Sequence, residues 1–297
     1  MAYGNPSGTS VWTNYIDSEM IDRQLSLAVA DPFVGEFIVR VVNMAADTSR
    51  TFTHPLLGRI AASTAHADAD QYSFTAMSTS QEQIACAVYS SEIMVPFSVT
   101  GVPGRNGPST VVNPLLGAVT NVVDANRQVM ENAILGVTLS NTTGDNATTN
   151  DFQNWATVKQ VFRSQAKNPQ GVAAVLHDDA IRDLELDLGS NAAALFSTDY
   201  GARSQEMFGP VAKGYRGMLD GIMIFESGAI PVADTSGWGN IMTEIGSEAG
   251  IGLAVKAPPT PIVKDANDGH GFFVTSVCDF GADVLDQDRC LQFITRT

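Results

Sequence analysis

The stretch that decides the fold is TVVNPLLGAVTNVVDANRQVMENAILGVT, residues 110–138, which has the clearest helical period in the chain. Its apolar residues recur at spacings of three, four and seven, so they lie along one side of a helix. Asn113 followed by Pro114 predicts the start, because Asn can cap the first amides and Pro has no amide to satisfy. Gly136 predicts the end. The apolar positions are Leu115, Leu116, Val119, Val122, Val123, Val129, Met130, Ala133 and Ile134.

The polar side of this helix is predicted from three charged residues. Asp124, Arg127 and Glu131 are spaced by three and four positions, which places them together on the surface. About 22 residues at about 1.5 Å each make a rod of around 33 Å. Taken alone, such a rod indicates a core helix.

Composition indicates a folded, acidic protein. The chain has 297 residues, 44% of them hydrophobic, which is enough for one large or two modest domains. Seventeen basic against 32 acidic residues leave a formal charge of −15 at pH 7. A phosphate-binding surface would have to form against this field, so base-specific reading of nucleic acid is not expected.

Nothing in the sequence predicts export, a membrane span or a disulfide framework. The first residues lack the pattern of a signal peptide, and no window approaches the ~20 apolar residues that a span requires. We therefore expect a soluble protein made in a cytoplasm. Cys86, Cys278 and Cys290 are odd in number and far apart, so we expect three reduced thiols in the core.

The first hundred residues predict an arm and a hairpin. Residues 18–31 have a helical pattern that Pro32 ends, and VGEFIVRVV, residues 34–42, indicates a strand with Glu36 and Arg40 facing outward. Residues 49–100 then predict two long antiparallel strands. A long hairpin cannot bury both of its faces on its own fold, so it should lie against a neighbour.

The predicted tip of this hairpin is STAHADADQ, residues 63–71. His66, Asp68 and Asp70 alternate there in a way that would place three metal ligands on one side. A solvated turn is the favoured interpretation, and no metal site is predicted.

The second half of the chain predicts an α/β layer after the polar linker LSNTTGDNATTND, residues 139–151. A helix with an apolar face, the buried strand VAAVLH and the helix DDAIRDLELDL follow in order, and Asp178 is the expected cap of that last helix. The face of the first helix is formed by Phe152, Trp155, Val158 and Phe162.

The remaining elements are mostly strands. Two short strands are expected around Asp220 and Gly221, followed by a helix over GNIMTEIGSEA, residues 239–249. IGLAVK is the next strand, a hairpin turns at residues 265–271, and CLQFITR is the last strand.

Sequence motifs give little support for chemistry. No phosphate-binding loop, dinucleotide fingerprint, nucleophile elbow or zinc motif occurs. Gly246, Gly250 and Gly252 are spaced loosely like the glycines of a nucleotide-binding loop. Such a loop must follow a strand, whereas these glycines follow a segment with a helical pattern. The series Asp265, Asn267, Asp268 lacks the closing Glu of a calcium loop.

One histidine could serve an enzyme. His177 precedes Asp178 and Asp179, and together they could form an acid/base cluster. Residues of this kind more often end a strand and cap the next helix. We therefore predict no catalytic, cofactor-binding or metal-binding residues and no cofactor.

The order of these elements, with three phrases in particular, resembles a known family. VLHDDAIRDL (175–184), GMLDGIMIFESGAIPV (217–232) and DFGADVLD (279–286) follow the hairpin and the long helix in sequence. In this order they resemble tailed-bacteriophage major capsid proteins of the Hong Kong ninety-seven type, over nearly the whole chain.

The resemblance implies an α+β capsid fold with four parts. They are an N-terminal arm at 1–48, an extended loop at 49–90, a peripheral domain at 91–144 and 257–285 with spine helix 113–136, and an axial domain at 145–256 and 286–297.

The resemblance also implies a function in assembly. Hexamers and pentamers of the chain would form an icosahedral shell that encloses double-stranded DNA in a virion, assembled in the host cytoplasm. The chain opens with Met1 and only a short arm, so we expect a separate scaffolding protein, with a portal and a cement or decoration protein as further partners. A shell of the same fold that encloses an enzyme is the alternative, and a soluble α/β hydrolase that uses His177 is a more remote one.

We predict a shell without covalent cross-links. Some relatives join a Lys of the extended loop to an Asn of a neighbour, but residues 49–90 contain no Lys, only Arg50 and Arg59. A guanidinium stays protonated and is a poor nucleophile. Apolar burial is sufficient instead, at about 25 cal/mol per Å² over interfaces of roughly 2,000 Å² or more. Particles boiled in detergent without reductant should give one band near 31.5 kDa. A ladder of oligomers would contradict this.

Overall fold

The computed structural model describes residues 34–57, 79–96, 114–166, 169, 171–188, 214–233, 237–265 and 271–296. Four α-helices lie in these ranges: α1 Gly35–Ile38, α2 Pro114–Leu135, α3 Phe152–Ala166 and α4 Asp178–Leu188. The strands there are β1 Arg40–Asn43, β2 Thr51–Leu57, β3 Thr79–Ala85, β4 Ala87–Pro96, β5 Thr142–Gly144, β6 Val172–Leu176, β7 Tyr215–Leu219, β8 Ile222–Glu226, β9 Val232–Ala233, β10 Gly237–Glu244, β11 Ile251–Asp265, β12 Gly271–Val284 and β13 Cys290–Arg296.

The strands form three sheets. The first has the order β1-β11-β12-β4, and the second has the order β5-β13-β10-β6-β8-β7 with β9 beside β10. β2 and β3 pair only with each other in the described residues, as a separate antiparallel hairpin. This mixture of parallel and antiparallel pairs with segregated helices is an α+β arrangement.

The long helix α2 contacts the first sheet along its length. Near its start, Ala118 and Val122 pack against Val95 of β4 and Val274 of β12. Further along, its apolar side chains share one cluster with both sheets, so this helix closes the core between them. The members of that cluster from α2 are Met130, Ile134 and Leu135, from the first sheet Ile251, Leu253, Cys278, Phe280 and Val284, and from the second sheet Ala173, Val175, Phe225, Ile241 and Cys290.

The opposite face of the second sheet is covered by α3 and α4. Trp155 and Phe162 from α3 and Leu184 from α4 are fully buried against it. Their spacing is the apolar face that the sequence predicts, except that Phe152 is exposed. The second sheet therefore has a core on both faces, and its strand β6, VAAVL, contains no polar residue.

A buried polar residue fixes the position of α2 on the first sheet. Asn126 is 1% exposed, and its amide nitrogen donates to the carbonyl and the hydroxyl oxygen of Ser276, both at 2.9 Å. Its amide oxygen accepts from the Ser91 hydroxyl at 2.8 Å. One side chain thus bonds to both β4 and β12, and it lies four residues from both Val122 and Met130 on the apolar stripe.

The predicted bounds of the long helix are confirmed at both ends. Pro114 is its first residue, although the predicted cap, Asn113, lies outside the described residues. After Leu135 the amide of Gly136 still donates to the Asn132 carbonyl at 2.9 Å. A Cβ on Gly136 would lie 2.7 Å from that carbonyl oxygen, so the close approach favours glycine.

The prediction that Glu131 faces solvent on the polar side of this helix is wrong. Glu131 is 4% exposed and accepts a hydrogen bond of 2.8 Å from the Ser227 hydroxyl after β8. Asp124 and Arg127 do form the expected surface pair, at 3.8 Å. The helix is covered on two sides because two sheets contact it, and a single apolar stripe in the sequence does not reveal the second contact.

The predicted helix at residues 239–249 is also wrong. This segment is β10 followed by a short 3₁₀ turn, Gly246–Glu248. Ile241 belongs to the cluster with α2 and Met242 to the cluster with α3 and α4. Both faces of the strand are buried, so its sequence shows no alternation of apolar and polar residues. The Asn240 side chain bonds to the Thr295 hydroxyl and accepts from the amide of His177.

The strand predicted at residues 34–42 is half correct. Residues 35–38 form α1, and only Arg40–Asn43 forms a strand, parallel to β11. Gly35 packs closely against Ile134, because a Cβ added at Gly35 would lie only 2.9 Å from the Ile134 side chain. The helix predicted before Pro32 and the hairpin tip at 63–71 lie outside the described residues.

Other predictions are confirmed. β7 and β8 form a hairpin whose turn residues, Asp220 and Gly221, both have positive φ, 55° and 82°. This is the turn chemistry that favours Gly in a two-residue connection. β11 and β12 form the predicted long hairpin, and β13 is the predicted last strand.

The three cysteines are buried free thiols, as predicted. Burial raises the pKa of Cys290 to about 12 and raises the pKa of Cys86 and Cys278 as well, so these thiols stay protonated and unreactive at neutral pH. In the described part of the chain, no helix is both long and apolar enough to cross a membrane.

The buried face of α2 generates a stability prediction. Val122→Asp would place a carboxylate beside Val95, Ala118 and Val274 with no partner, and should cost about 3–5 kcal/mol of the free energy of unfolding. Urea unfolding, or the soluble fraction after expression, measures this loss. Asn132→Asp, at an exposed position of the same helix, should change stability by less than about 1 kcal/mol. A soluble Val122→Asp protein of normal stability would mean that the apolar face is assigned wrongly.

Candidate assembly surfaces

The hairpin of β2 and β3 has almost no core of its own. Among the strand residues whose burial is described, Ile84 alone is buried, Phe52, His54 and Leu56 are half-buried, and the exposed ones include Thr51, Thr53 and Pro55 on β2 and Ser80–Gln83 on β3. A two-stranded ribbon that is open on both faces is marginal in water. The prediction that this hairpin cannot bury both faces within one chain agrees with these exposures.

The base of the hairpin lies on the first sheet, where two glycines make room for it. Cβ atoms placed on Gly252 and Gly281 would lie 2.8 Å and 3.1 Å from the Ile84 side chain, and the carbonyl of Ala85 approaches Gly281 more closely still. Ile84 fills the space between them, together with Met44, Cys86, Ala254 and Leu285. We call this contact the glycine seat.

Beyond the glycine seat, the face of the first sheet that points away from α2 has exposed apolar residues in the part of the chain that the structure describes. Ser91 and Ser276 bond to Asn126 of α2, so residues next to them in β4 and β12 point to the opposite face, as do their partners on β11. This outer face bears an apolar group of five residues. They are Val88, Met94, Ile262, Phe273 and Val277, with Val88 51% and Ile262 41% exposed.

A second apolar patch lies between α3 and α4. Leu186 is 71% exposed and Phe152 is 43% exposed. The two helices meet near these residues, because the carboxylate of Asp187, which follows Leu186, accepts a hydrogen bond of 2.9 Å from the Phe152 amide. Uncovered apolar patches of this kind are typical of surfaces that contact other proteins.

His177 packs against a tryptophan and caps a helix in this fold. Its ring stacks on Trp238 with centroids 3.6 Å apart, and its Nδ1 accepts a hydrogen bond of 3.2 Å from the amide of Asp179. His177 therefore caps α4, and the prediction that Asp178 caps it is wrong, because the helix already begins at Asp178. An imidazole that accepts at Nδ1 must be neutral at that nitrogen.

Two of the acidic residues near His177, Asp178 and Glu226, line a pocket of about 370 Å³ between α2 and the β7–β8 hairpin. Glu226 forms an ion pair with Arg216. Burial is the larger cause that raises the pKa of Asp178, and the charge of the Glu226 carboxylate is the second. The pocket is lined by Gln128, Glu131, Asp178, Gly214, Tyr215, Arg216, Glu226, Ser227, Gly228 and Ala229. In the described residues no three His, Cys, Asp or Glu side chains are placed to hold a metal ion.

The remaining candidate motifs do not form binding loops where the structure describes them. Gly246 starts a 3₁₀ turn with φ 81°, Gly250 lies against the backbone of Arg289, and Gly252 is within β11. They are not a loop between a strand and a helix. Asn267, Asp268, His66, Asp68 and Asp70 lie outside the described residues.

Comparisons with known proteins give structural matches only. No family model matches the chain, and no curated protein is similar to it in sequence. The capsid of Ralstonia phage GP4 matches with a TM-score of 0.62 at 12% identity, over 90% of this chain and 91% of that chain. The capsid asymmetric unit of cyanophage Pam1 matches with a TM-score of 0.63 at 10% identity, over 87% and 88%.

A third match is the capsid of a native GTA particle, with a TM-score of 0.60 at 10% identity over 88% and 89% of the two chains. These similarities extend over almost the full length of this chain and of each matched chain, so they concern the whole architecture and not one motif. The chain therefore has the α+β fold of phage capsid structures, of the Hong Kong ninety-seven type, as the sequence resemblance implies.

The setting of His177 generates a prediction for pH. Burial lowers the pKa of His177 below its usual 6.5, against the weaker opposite effects of the Asp178, Asp179 and Glu226 carboxylates. The unfolded chain then binds the proton at higher pH than the folded chain does. The contribution of neutral His177 to the stability of the folded chain is complete above about pH 6.5, and it is lost as pH falls through the lowered pKa.

His177→Asn tests this, because Asn can accept from the Asp179 amide but does not titrate. The free energy of unfolding, measured by urea denaturation from pH 7.5 to 5, should fall less steeply in the variant than in the starting chain. The raised pKa of Asp178 changes stability with pH in the opposite direction, and this carboxyl is present in both proteins. Parallel curves over this range would show that His177 does not titrate as described.

Proposed function

We propose that this chain is the major capsid protein of a tailed bacteriophage, a structural protein that assembles into an icosahedral shell around double-stranded DNA. The observation that carries the proposal is the match to phage capsids over about nine tenths of this chain and of the matched chains. Unrelated functions can share a fold, so the surfaces of this chain have to support the proposal independently.

Three surfaces supply that support. Most described residues of the hairpin are exposed or half-buried, the outer face of the first sheet has exposed apolar residues beyond the glycine seat, and Leu186 and Phe152 are exposed on α4 and α3. Each could be buried by neighbouring copies in closed rings and shells, where the same patch recurs on every subunit. A net charge of −15 also fits a container wall that holds DNA without binding it tightly.

We propose the following division of the subunit. An arm at 1–48 and an extended loop at 49–90 precede a peripheral domain at 91–144 and 257–285, and an axial domain comprises 145–256 and 286–297. Support comes from the separate β2–β3 hairpin and from the two larger sheets, which α2 joins.

The proposed partners follow from the role of a shell subunit. Copies of the chain would form hexamers and pentamers, with a scaffolding protein, a portal and a cement or decoration protein as separate partners, and assembly would take place in the host cytoplasm. A nanocompartment shell around an enzyme is less favoured, because the matches described above are phage capsids and a GTA particle. We propose no enzymatic activity, and His177 has the structural role of a helix cap.

Exposed apolar residues of the outer sheet face provide the test. Ile262→Asp and Val88→Asp should change the stability of the unassembled chain by less than about 1 kcal/mol, because both side chains are about half exposed there. If neighbouring copies cover this face, each variant should form far fewer hexamers, pentamers or shells than the starting chain. Sedimentation velocity and negative-stain electron microscopy measure assembly, and thermal unfolding measures stability.

Asn132→Asp is a matched control, since it adds a carboxylate at an exposed position of α2 and should leave assembly unchanged. A starting chain that stays monomeric at high concentration, with the scaffolding protein co-expressed, would contradict the proposal. Shells filled with protein cargo, in place of DNA-filled tailed particles in the native source, would favour the nanocompartment.

A further inference from the structure

The junction between the hairpin and the first sheet is a small apolar cluster with a few polar contacts beside it. β3 and β4 are separated by the single residue Cys86, and in the described residues β3 pairs with β2 whereas β4 pairs with β12. The Cys86 amide donates to the Arg50 carbonyl at 2.8 Å, which ties the two strands of the hairpin together at this point. The chain therefore passes from ribbon to sheet across one residue.

The glycine seat is the apolar part of this junction. Ile84 is almost fully buried over Gly252 and Gly281, and the neighbouring residues of β3 are exposed. This small cluster, which also contains Met44, Cys86, Ala254 and Leu285, holds the base of the ribbon, but the β3 residues that precede Ile84 are exposed, so it determines the direction of the ribbon only weakly. The direction depends on contacts placed to the side of this cluster.

Two cationic side chains make those lateral contacts. Lys256 of β11 donates to the carbonyls of Thr48 and Ser49, at 3.4 Å and 3.0 Å. Arg50 places Nη2 3.6 Å from Oδ2 of Asp279 on β12. The pair joins a side chain at the base of the hairpin to a side chain of the sheet, on the outer face beside the seat.

Asp279 is an unusual partner for such a contact. It is 7% exposed, and its Oδ1 is buried without a hydrogen bond from any described residue. Burial of a carboxylate is costly unless a countercharge and hydrogen bonds stabilise it. Arg50 is 61% exposed, so the pair is well placed to exchange with solvent. The attraction is therefore sufficient to favour one arrangement but too weak to make it permanent.

We propose that the Arg50–Asp279 pair is a latch that holds the hairpin at one angle to the first sheet. With the latch closed, the glycine seat, the Lys256 hydrogen bonds and the ion pair together give the ribbon one direction. With the latch open, the ribbon pivots at Cys86 about the glycine seat. The proposal concerns the single chain and does not rest on the proposed function.

Pulsed electron paramagnetic resonance, which measures the distance between two spin labels, tests the latch on the full-length, unassembled chain. Spin labels are attached to cysteines introduced by Gln81→Cys on β3 and Asn132→Cys on α2, both exposed positions. The three native cysteines are buried, and the chain without the introduced cysteines shows the background from them. The starting chain should give one narrow distance distribution.

Opening the latch should broaden this distribution. Asp279→Asn and Arg50→Gln should each roughly double its width or add a second distance, because either change removes the attraction. The double variant should be no broader than either single variant, since the two residues act as one pair. Asp283→Asn, an exposed carboxylate on the same strand, should leave the distribution unchanged.

Two results would overturn the latch. One is a distribution as narrow in Asp279→Asn and Arg50→Gln as in the starting chain. The other is a starting chain that is already broad. Arg50→Gln alters a mostly exposed side chain, so it keeps the proposal testable even if Asp279→Asn fails to fold. Because no assembled particle is measured, a negative result leaves the assembly experiment unaffected.

Discussion

The architecture depends on one constraint, the fixed position of the long helix α2 between two sheets. Asn126 bonds to Ser91 and Ser276 in the first sheet, and Glu131 bonds to Ser227 beside the second. A shift of the helix by one residue would leave these buried groups without partners, at about 1–3 kcal/mol for each unsatisfied group. Apolar packing supplies most of the stabilisation of the core, while these polar contacts select one register of the helix.

Much of this fold could be predicted from the sequence where one face of an element is exposed. The period of α2, the Asp220–Gly221 turn and the long β11–β12 hairpin each have a local signal in the sequence. Prediction failed where tertiary contacts cover both faces, as in β10, or where a polar residue is buried by a second contact, as with Glu131. Asn126 could have been recognised, because it lies four residues from both Val122 and Met130 on the stripe.

The candidate assembly surfaces could not be predicted in the same way. Val88, Ile262 and Val277 are far apart in sequence and become neighbours only through the register of three strands. The alternation of apolar and polar residues along each strand shows that the two faces of the strand differ. It does not show which of these faces α2 covers. His177 shows a related limit, since the sequence places it near two carboxylates and only the stack on Trp238 reveals its role.

The pairing order of the second sheet has a consequence for biosynthesis. β10 lies between β6 and β13, and β13, at residues 290–296, is the last of these strands to be translated. Until those residues leave the ribosome, β10 has an unpaired edge and the core beneath α3 lacks Leu291 and Phe293. A nascent chain therefore cannot complete this sheet before β13 has left the ribosome. The strand order thus makes completion of this layer wait for the strand that is translated last among its members.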